Sequence, residues 1–173
     1  MNEKVSQRAA TSADLESINA VIEAAIMNWD LPERIKRLAL PVYRYTETDF
    51  EHLEMIVAET VDKNIVGVAA CEMADASEVP GKLALLLHGL YVIPEVQHQG
   101  IGSQLFVAVE ALVPAHGCDG LLVKAQTDAV GFFESQGMQQ LENINPASNY
   151  AYRFWKPIKQ GIDKSTPGRM QTN

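Results

Sequence analysis

Apolar residues recur at Leu15, Ile18, Val21, Ile22, Ala25 and Ile26. That three-and-four spacing marks one face of a helix, predicted to end near Met27. Just ahead, Thr11-Ser12-Ala13-Asp14 has the form of a capping box with Asp in the usual Glu position. Val5 to Ala9 reads as a short strand before it. From Asn28 to His52 the pattern is irregular, punctuated by Pro32 and Pro41, with a short helical stretch over Glu33 to Leu38. Two strands follow, Glu54 to Thr60 and Ile65 to Met73, joined by Val61-Asp62-Lys63-Asn64, which suits a hairpin. A Ser/Pro/Gly loop around Ser77 to Gly81 leads into the most apolar strand, Leu83 to Val92. Beyond Gly102, residues Leu105, Phe106, Val109, Leu112 and Val113 form the inner stripe of another helix. Gly120 to Ala125 reads as a buried strand, and Thr127 as the cap of a short helix through Gln136 that stops at Gly137. The last predicted strand is Tyr150 to Lys156. This order describes a mixed α/β domain on one central sheet over residues 1–156. From Pro157 the chain turns polar, with Gly161, Pro167 and Gly168, so residues 157–173 are expected to be a frayed tail.

Composition narrows the class without changing that outline. With 173 residues, 47% hydrophobic and 21% charged, the chain is the size and make-up of one globular domain. Cys71 and Cys118 cannot build a disulfide scaffold and read as reduced core thiols. The longest apolar stretch, Leu83 to Ile93, is interrupted by His88 and is too short to span a bilayer. Glu3, Lys4, Arg8, Asp14 and Glu16 break up any signal peptide. The expectation is a cytoplasmic domain with no membrane partner.

Fourteen Lys+Arg against 22 Asp+Glu give a net charge of −8. The last seventeen residues hold Lys159, Lys164 and Arg169 against Asp163, so the remainder stands at −10. Six acidic side chains and no Lys or Arg lie between Glu47 and Asp62. Such a surface repels phosphate backbones, so no nucleic-acid partner is expected. It would attract a cationic ligand such as an amine, or simply keep the protein solvated.

The chemistry concentrates where the apolar strand ends. Leu86 to Val92 runs through Ile93-Pro94-Glu95-Val96 into Gln97-His98-Gln99-Gly100-Ile101-Gly102-Ser103, and an amphipathic helix starts at once. Glycines at 100 and 102 let the backbone curl, and the amides of the turn converge with the helix dipole on one point. That is an anion site made of backbone, suited to a pyrophosphate. Neither the P-loop pattern nor the full dinucleotide fingerprint is present, since position 105 is Leu.

Gln97-His98-Gln99-Gly100-Ile101-Gly102 resembles the Gln/Arg-x-x-Gly-x-Gly/Ala signature of the GNAT superfamily of N-acetyltransferases. A second segment, Leu121 to Ala125 followed by Ala129 to Phe133 and Glu134-Ser135-Gln136-Gly137-Met138, resembles that family's second cofactor element. The resemblance implies a single domain with a central mixed, mostly antiparallel sheet flanked by about four helices. It implies acetyl-CoA as donor, an amine acceptor, and a homodimer as one option; no metal is expected, since His116 and Cys118 flank Gly117 with no further ligands at zinc spacing. By analogy Leu90, Tyr91 and Val92 would offer strand backbone to the pantetheine arm and thioester carbonyl. His98, Gln99, Gly100, Ile101, Gly102 and Ser103 would wrap the pyrophosphate, with Gln126 and Phe133 from the second element. The basic residue common in the loop is missing.

Acetyl transfer to an amine needs a proton acceptor, an oxyanion stabiliser and a fate for the sulfur. His88 is the candidate acceptor, placed by period-two alternation on a face with Leu86, Leu90 and Val92. It resembles the second histidine of a pair found on this strand in arylalkylamine N-acetyltransferases, with Leu86 where the first would be. A core histidine bonded to a carbonyl is the other reading. The family's frequent tyrosine in the second element is Phe133, which has no proton to give. Tyr150 or Tyr152 from the late strand, or Tyr43 or Tyr45 from the early loop, could supply one, or the thiolate could leave unaided. Trp29, Tyr43 and Tyr45 are the candidate acceptor wall. The favoured reading is direct transfer to a small-molecule amine in a ternary complex. A peptide or protein acceptor and a weakly catalytic acyl-CoA sensor are the alternatives.

Overall fold

In the computed structural model, which describes residues 4–142 and 152–160, seven strands form one sheet in the order β1-β2-β3-β4-β5-β7-β6. The elements in chain order are β1 Val5–Ala9, α1 Leu15–Met27, α2 Glu33–Tyr43, β2 Glu54–Thr60, β3 Ile65–Met73 and β4 Ala84–Val92. They continue with α3 Ile101–Ala115, β5 Gly120–Ala125, α4 Val130–Ser135, β6 Gln139–Leu141 and β7 Tyr152–Pro157. Every neighbouring pair is antiparallel except β4 and β5, which the α3 crossover makes parallel. The sheet is therefore mixed and mostly antiparallel, with four helices packed on it.

Both faces of the sheet are covered, which is why β2 and β3 read as nearly continuous apolar runs. Ile18, Ile22 and Ile26 of α1 pack with Val57 and Val68 on one face. Leu105, Phe106 and Val109 of α3 pack with Leu121, Val123 and Phe154 on the other. The first helix is entered as its sequence indicates. The Thr11 and Asp14 capping box forms across a 3-10 turn at Ser12–Asp14. Asp14 also pairs with Arg8 at 2.8 Å, and Arg8 pairs with Glu59 at 2.7 Å, tying β1 and the helix entry to β2. The guanidinium bonding to Asp14 holds that carboxyl down at about 2.

Several boundaries differ from the expectation. Helix α2 runs on through Pro41 to Tyr43. Pro41 lies in the last turn, where it forgoes one i→i−4 hydrogen bond, and the Arg44 N–H closes that turn on Leu40 O at 3.1 Å. Thr127 is not the helix cap: it opens a 3-10 turn, Thr127–Ala129, and α4 starts only at Val130. β6 is too short to leave a period in the sequence. The expected start of the last strand at Tyr150 lies outside the described residues, and its described part ends at Pro157, paired with Gly120. Residues 157–160 are not frayed, because the Ile158 N–H donates to Asp119 O and the Gln160 side chain to Cys118 O at 2.9 and 2.8 Å. No helix among the described residues is long and apolar enough to cross a membrane.

The largest correction concerns β4. The register with β3 shifts between Ala70↔Gly89 and Cys71↔Leu87, which leaves His88 as the extra residue of a β-bulge. Alternation changes phase there. Leu85 and Leu87 face the α3 core before the bulge, and Leu90 and Val92 face it after. His88 therefore does not share a face with Leu90 and Val92 but turns to the α1–α2 side.

Candidate active site

The parallel ladder between β4 and β5 runs from Ala84↔Gly120 to Leu87↔Val123 and stops, although both strands continue. Past that point the two strands and the loop into α3 enclose a cavity of about 870 Å³. Leu90, Tyr91 and Val92 line its β4 side, Ala125 and Gln126 its β5 side, and Phe133 its base.

The loop before α3 is shaped by two left-handed residues. His98 has φ +62° and Gly100, the N-cap of α3, has φ +84°. A Cβ on Gly100 would meet nothing within 4 Å, so its backbone conformation, not crowding, calls for glycine. A Cβ on Gly102 would stand 3.4 Å from the Phe132 ring, an ordinary contact. His98, Gly100, Ile101, Gly102 and Ser103 all line the cavity, and α3 directs its N-terminal amides there. Gln99 is exposed and does not line it. Sequence reasoning passes over Gln97 as a site residue. Its side-chain N–H donates to Val92 O at 3.0 Å and ties the loop to the end of β4. Ser103 accepts from the Gln136 side chain at 2.9 Å, joining α3 to the end of α4.

His88 is exposed to the cavity, so it is not a buried core histidine. Its Nδ1 lies 3.2 Å from the Tyr45 hydroxyl. Tyr45 is only 6% exposed. Its main chain is clamped by Asn19 of α1, which bonds both its N–H and its carbonyl at 2.9 Å. Tyr43, two residues earlier, points elsewhere: its hydroxyl accepts a hydrogen bond from the Gln126 side-chain N–H at 3.1 Å. Trp29 packs edge-on against the Tyr43 ring at 5.4 Å, and the Lys36 ammonium caps the end of α1 by donating to Met27 O and Trp29 O. Of the three aromatic residues expected in the acceptor wall, Trp29 and Tyr43 are brought together, and Tyr45 lines the same cavity apart from them.

The late-strand tyrosines are not. Tyr152 is half-buried against the α3–α4 core and does not line the cavity, and Tyr150 lies outside the described residues. Phe133 packs on Phe132 and Phe154 at 5.2 and 6.1 Å. Among charged groups, Lys124 lines the cavity but is held by Glu78, which Arg153 also approaches at 3.6 Å. Asp30 and Asp128 line it too, and isolated loop aspartates leave no periodic signal in a sequence. No group of three or more His, Cys, Asp or Glu among the described residues could hold a metal ion.

A strand pair that splays beside a glycine-capped helix is an arrangement with known relatives. The profile of the Acetyltransferase (GNAT) family matches residues 23–138, about two thirds of the chain. The chain belongs to the GNAT acetyltransferase family. It is an acyltransferase by that membership. No curated protein matches this GNAT chain. Its fold is similar to a Thermoplasma acidophilum PaiA N-acetyltransferase solved with coenzyme A, with TM-score 0.71 and 15% identity over 90% of this chain and 99% of that one. A Brucella melitensis GNAT acetyltransferase solved with acetyl-CoA has TM-score 0.63 and 18% identity, covering 99% and 94%. A KacTA–DNA complex contains a chain with TM-score 0.63 and 18% identity, covering 89% and 93%. At such identities these likenesses concern the fold alone.

Proposed function

We propose that this protein moves an acetyl group from acetyl-CoA to the primary amine of a small molecule, by direct transfer in a ternary complex. The observation that carries the proposal is that the opened β4–β5 edge, the Gly100-capped end of α3 and the exposed His88 imidazole all face one cavity. The residues present fit the donor: two left-handed residues curl the loop amides, and the adjacent strand edge is extended and open. Leu90, Tyr91 and Val92 would hold the pantetheine arm, and the backbone from His98 to Ser103 the pyrophosphate. Acetyl-CoA supplies the acyl group as an activated thioester.

His88, oriented by the Tyr45 hydroxyl, takes a proton from the acceptor's ammonium, and the neutral amine then attacks the thioester. An amine suits the rest of the cavity. Asp30 and Asp128 are there to attract a cation, Trp29 and Tyr43 offer ring surface, and the one lysine is occupied by Glu78. The −8 charge argues against a nucleic-acid partner, and two free buried thiols support a reducing, cytoplasmic setting. A peptide acceptor is the second reading. The exposed Leu31, Ile35, Leu38 and Val42 favour it, because they extend along α2 from the cavity, which Val42 lines.

A melting experiment with acetyl-CoA tests the donor. At 100 times its dissociation constant a ligand adds about 2.7 kcal/mol, or roughly 5–10 °C for a domain of this size. Wild type should shift and Gly100→Val should not. No shift in wild type at millimolar acetyl-CoA overturns the proposal. Amine and peptide acceptors tried side by side then separate the two readings.

A further inference from the structure

Transfer to an amine leaves a sulfur that must be protonated, and the residue the family resemblance offers for this is Phe133, buried among Phe106, Phe132 and Phe154. The geometry points to Tyr43 as the proton donor to that sulfur, with Gln126 as its positioning residue. The inference rests on the acetyl-CoA reading of this cavity.

Two phenols leave one short segment at the end of α2 and reach opposite sides of the strand opening. Tyr45 goes to the β4 side and meets His88. Tyr43 goes to the β5 side and meets Gln126, the first residue after β5. The backbone between them is extended at Arg44, φ −68° and ψ 140°. Proton removal and proton delivery are thereby given separate groups across the opening.

The Gln126 N–H donates to the Tyr43 oxygen, so the Tyr43 O–H keeps its proton for another acceptor. Among the described residues its one hydrogen bond is this one, and Tyr43 lines the cavity. Trp29 fixes the ring from the side. In the step itself the C–N bond forms and the C–S bond breaks. The C–S electron pair goes to sulfur, and the Tyr43 proton joins it to give a thiol. The tyrosinate regains a proton from solvent, into which His88 releases the one taken from the amine. The balance is amine plus thioester to amide plus thiol.

The test needs no acceptor. Affinities for coenzyme A and for desulfo-coenzyme A are measured by titration calorimetry at about pH 9, where a free thiol is partly thiolate. A hydrogen bond to the charged sulfur should make wild type prefer coenzyme A by roughly tenfold or more. Tyr43→Phe should bind both equally, at the wild-type affinity for the desulfo compound. Gln126→Glu keeps the size of the side chain but gives Tyr43 a carboxylate to donate to, so it too should lose the preference while Tyr43 stays in place. That second variant serves even if Tyr43→Phe folds poorly. A preference retained in either variant overturns the inference. Equal binding by wild type overturns it and leaves the acetyl-CoA reading standing. A wild type that binds neither compound overturns both.

Discussion

Gly89 lies under the Tyr45 hydroxyl, and adding one methyl group there tests how His88 is held. A Cβ on Gly89 would stand 2.7 Å from Tyr45 Oη and 2.7 Å from Tyr91 Cε2. Unstrained carbon contacts need about 3.5–4.0 Å, so the rings must retreat by roughly 1 Å. Tyr91 is half-buried at the cavity. Tyr45 has little space to retreat, because Asn19 holds its main chain from both sides and the ring is buried. Its hydroxyl must leave His88 Nδ1, and the 3.2 Å contact is lost. Overpacking of this kind costs about 1–3 kcal/mol, which for a domain of this size lowers Tm by roughly 4–8 °C at the middle of that range. Gly89→Ala should also lower kcat by about tenfold, since a general base contributes about 100-fold or more and here it is misplaced rather than removed. The assays are a thermal melt and steady-state transfer to whichever amine the acceptor screen returns. Tyr45→Phe is the companion: it removes the hydrogen bond without a clash, so it should match the kcat loss with a smaller Tm loss. A wild-type melt for Gly89→Ala, or full activity in Tyr45→Phe, refutes the reasoning.

Three further outcomes follow from the same structure. The Asp14 carboxyl titrates at about 2 in the fold against 3.8 when free, so its pairing with Arg8 stabilises above about pH 4 and is lost as pH falls toward 2. Asp14→Asn should therefore cost about 1–2 kcal/mol at pH 7, allowing for solvent screening at this surface pair, and the gap from wild type should close in melts near pH 2. Burial pushes the Cys71 thiol up to about 12, so a thiol reagent at pH 8 should leave it unmodified in native protein and label it once urea unfolds the chain. Gly131 in α4 is exposed and has nothing within 4 Å of an added Cβ. Gly131→Ala should raise stability by about 0.4–1 kcal/mol, whereas Gly120→Ala, whose Cβ would fall 2.4 Å from Lys156 O, should cost several times as much in the same denaturant titration.

What the sequence discloses here depends on how local the cause is. The stripe of α1, the Thr11–Asp14 box and the loop through Gly100 are set by residues close together in the chain, and each is where the pattern puts it. The bulge at His88 is not local. It exists because β3 and β4 fall out of step by one residue, and no period within β4 records its partner's register. For the same reason alternation puts His88 on the wrong face, although His88 does line the cavity. Tyr43 and Tyr45 are recognisable as aromatic site material, but their division between Gln126 and His88 depends on α2 continuing past Pro41 and ending where it does. Gln126 and Tyr43 are 83 positions apart, and only the fold makes them neighbours.

The parallel β4–β5 ladder has a mechanical meaning as well as a chemical one. It joins one half-sheet, β1 to β4, to the other, β5 with β7 and β6, and it spans only the stretch from Ala84↔Gly120 to Leu87↔Val123. The cavity therefore sits at the seam where that short ladder alone joins the two half-sheets. A molecule gripped by the β4 edge on one side and the β5 end on the other acts as a clasp. Amide hydrogens along that seam should exchange more slowly, and slow together, when the clasp is closed.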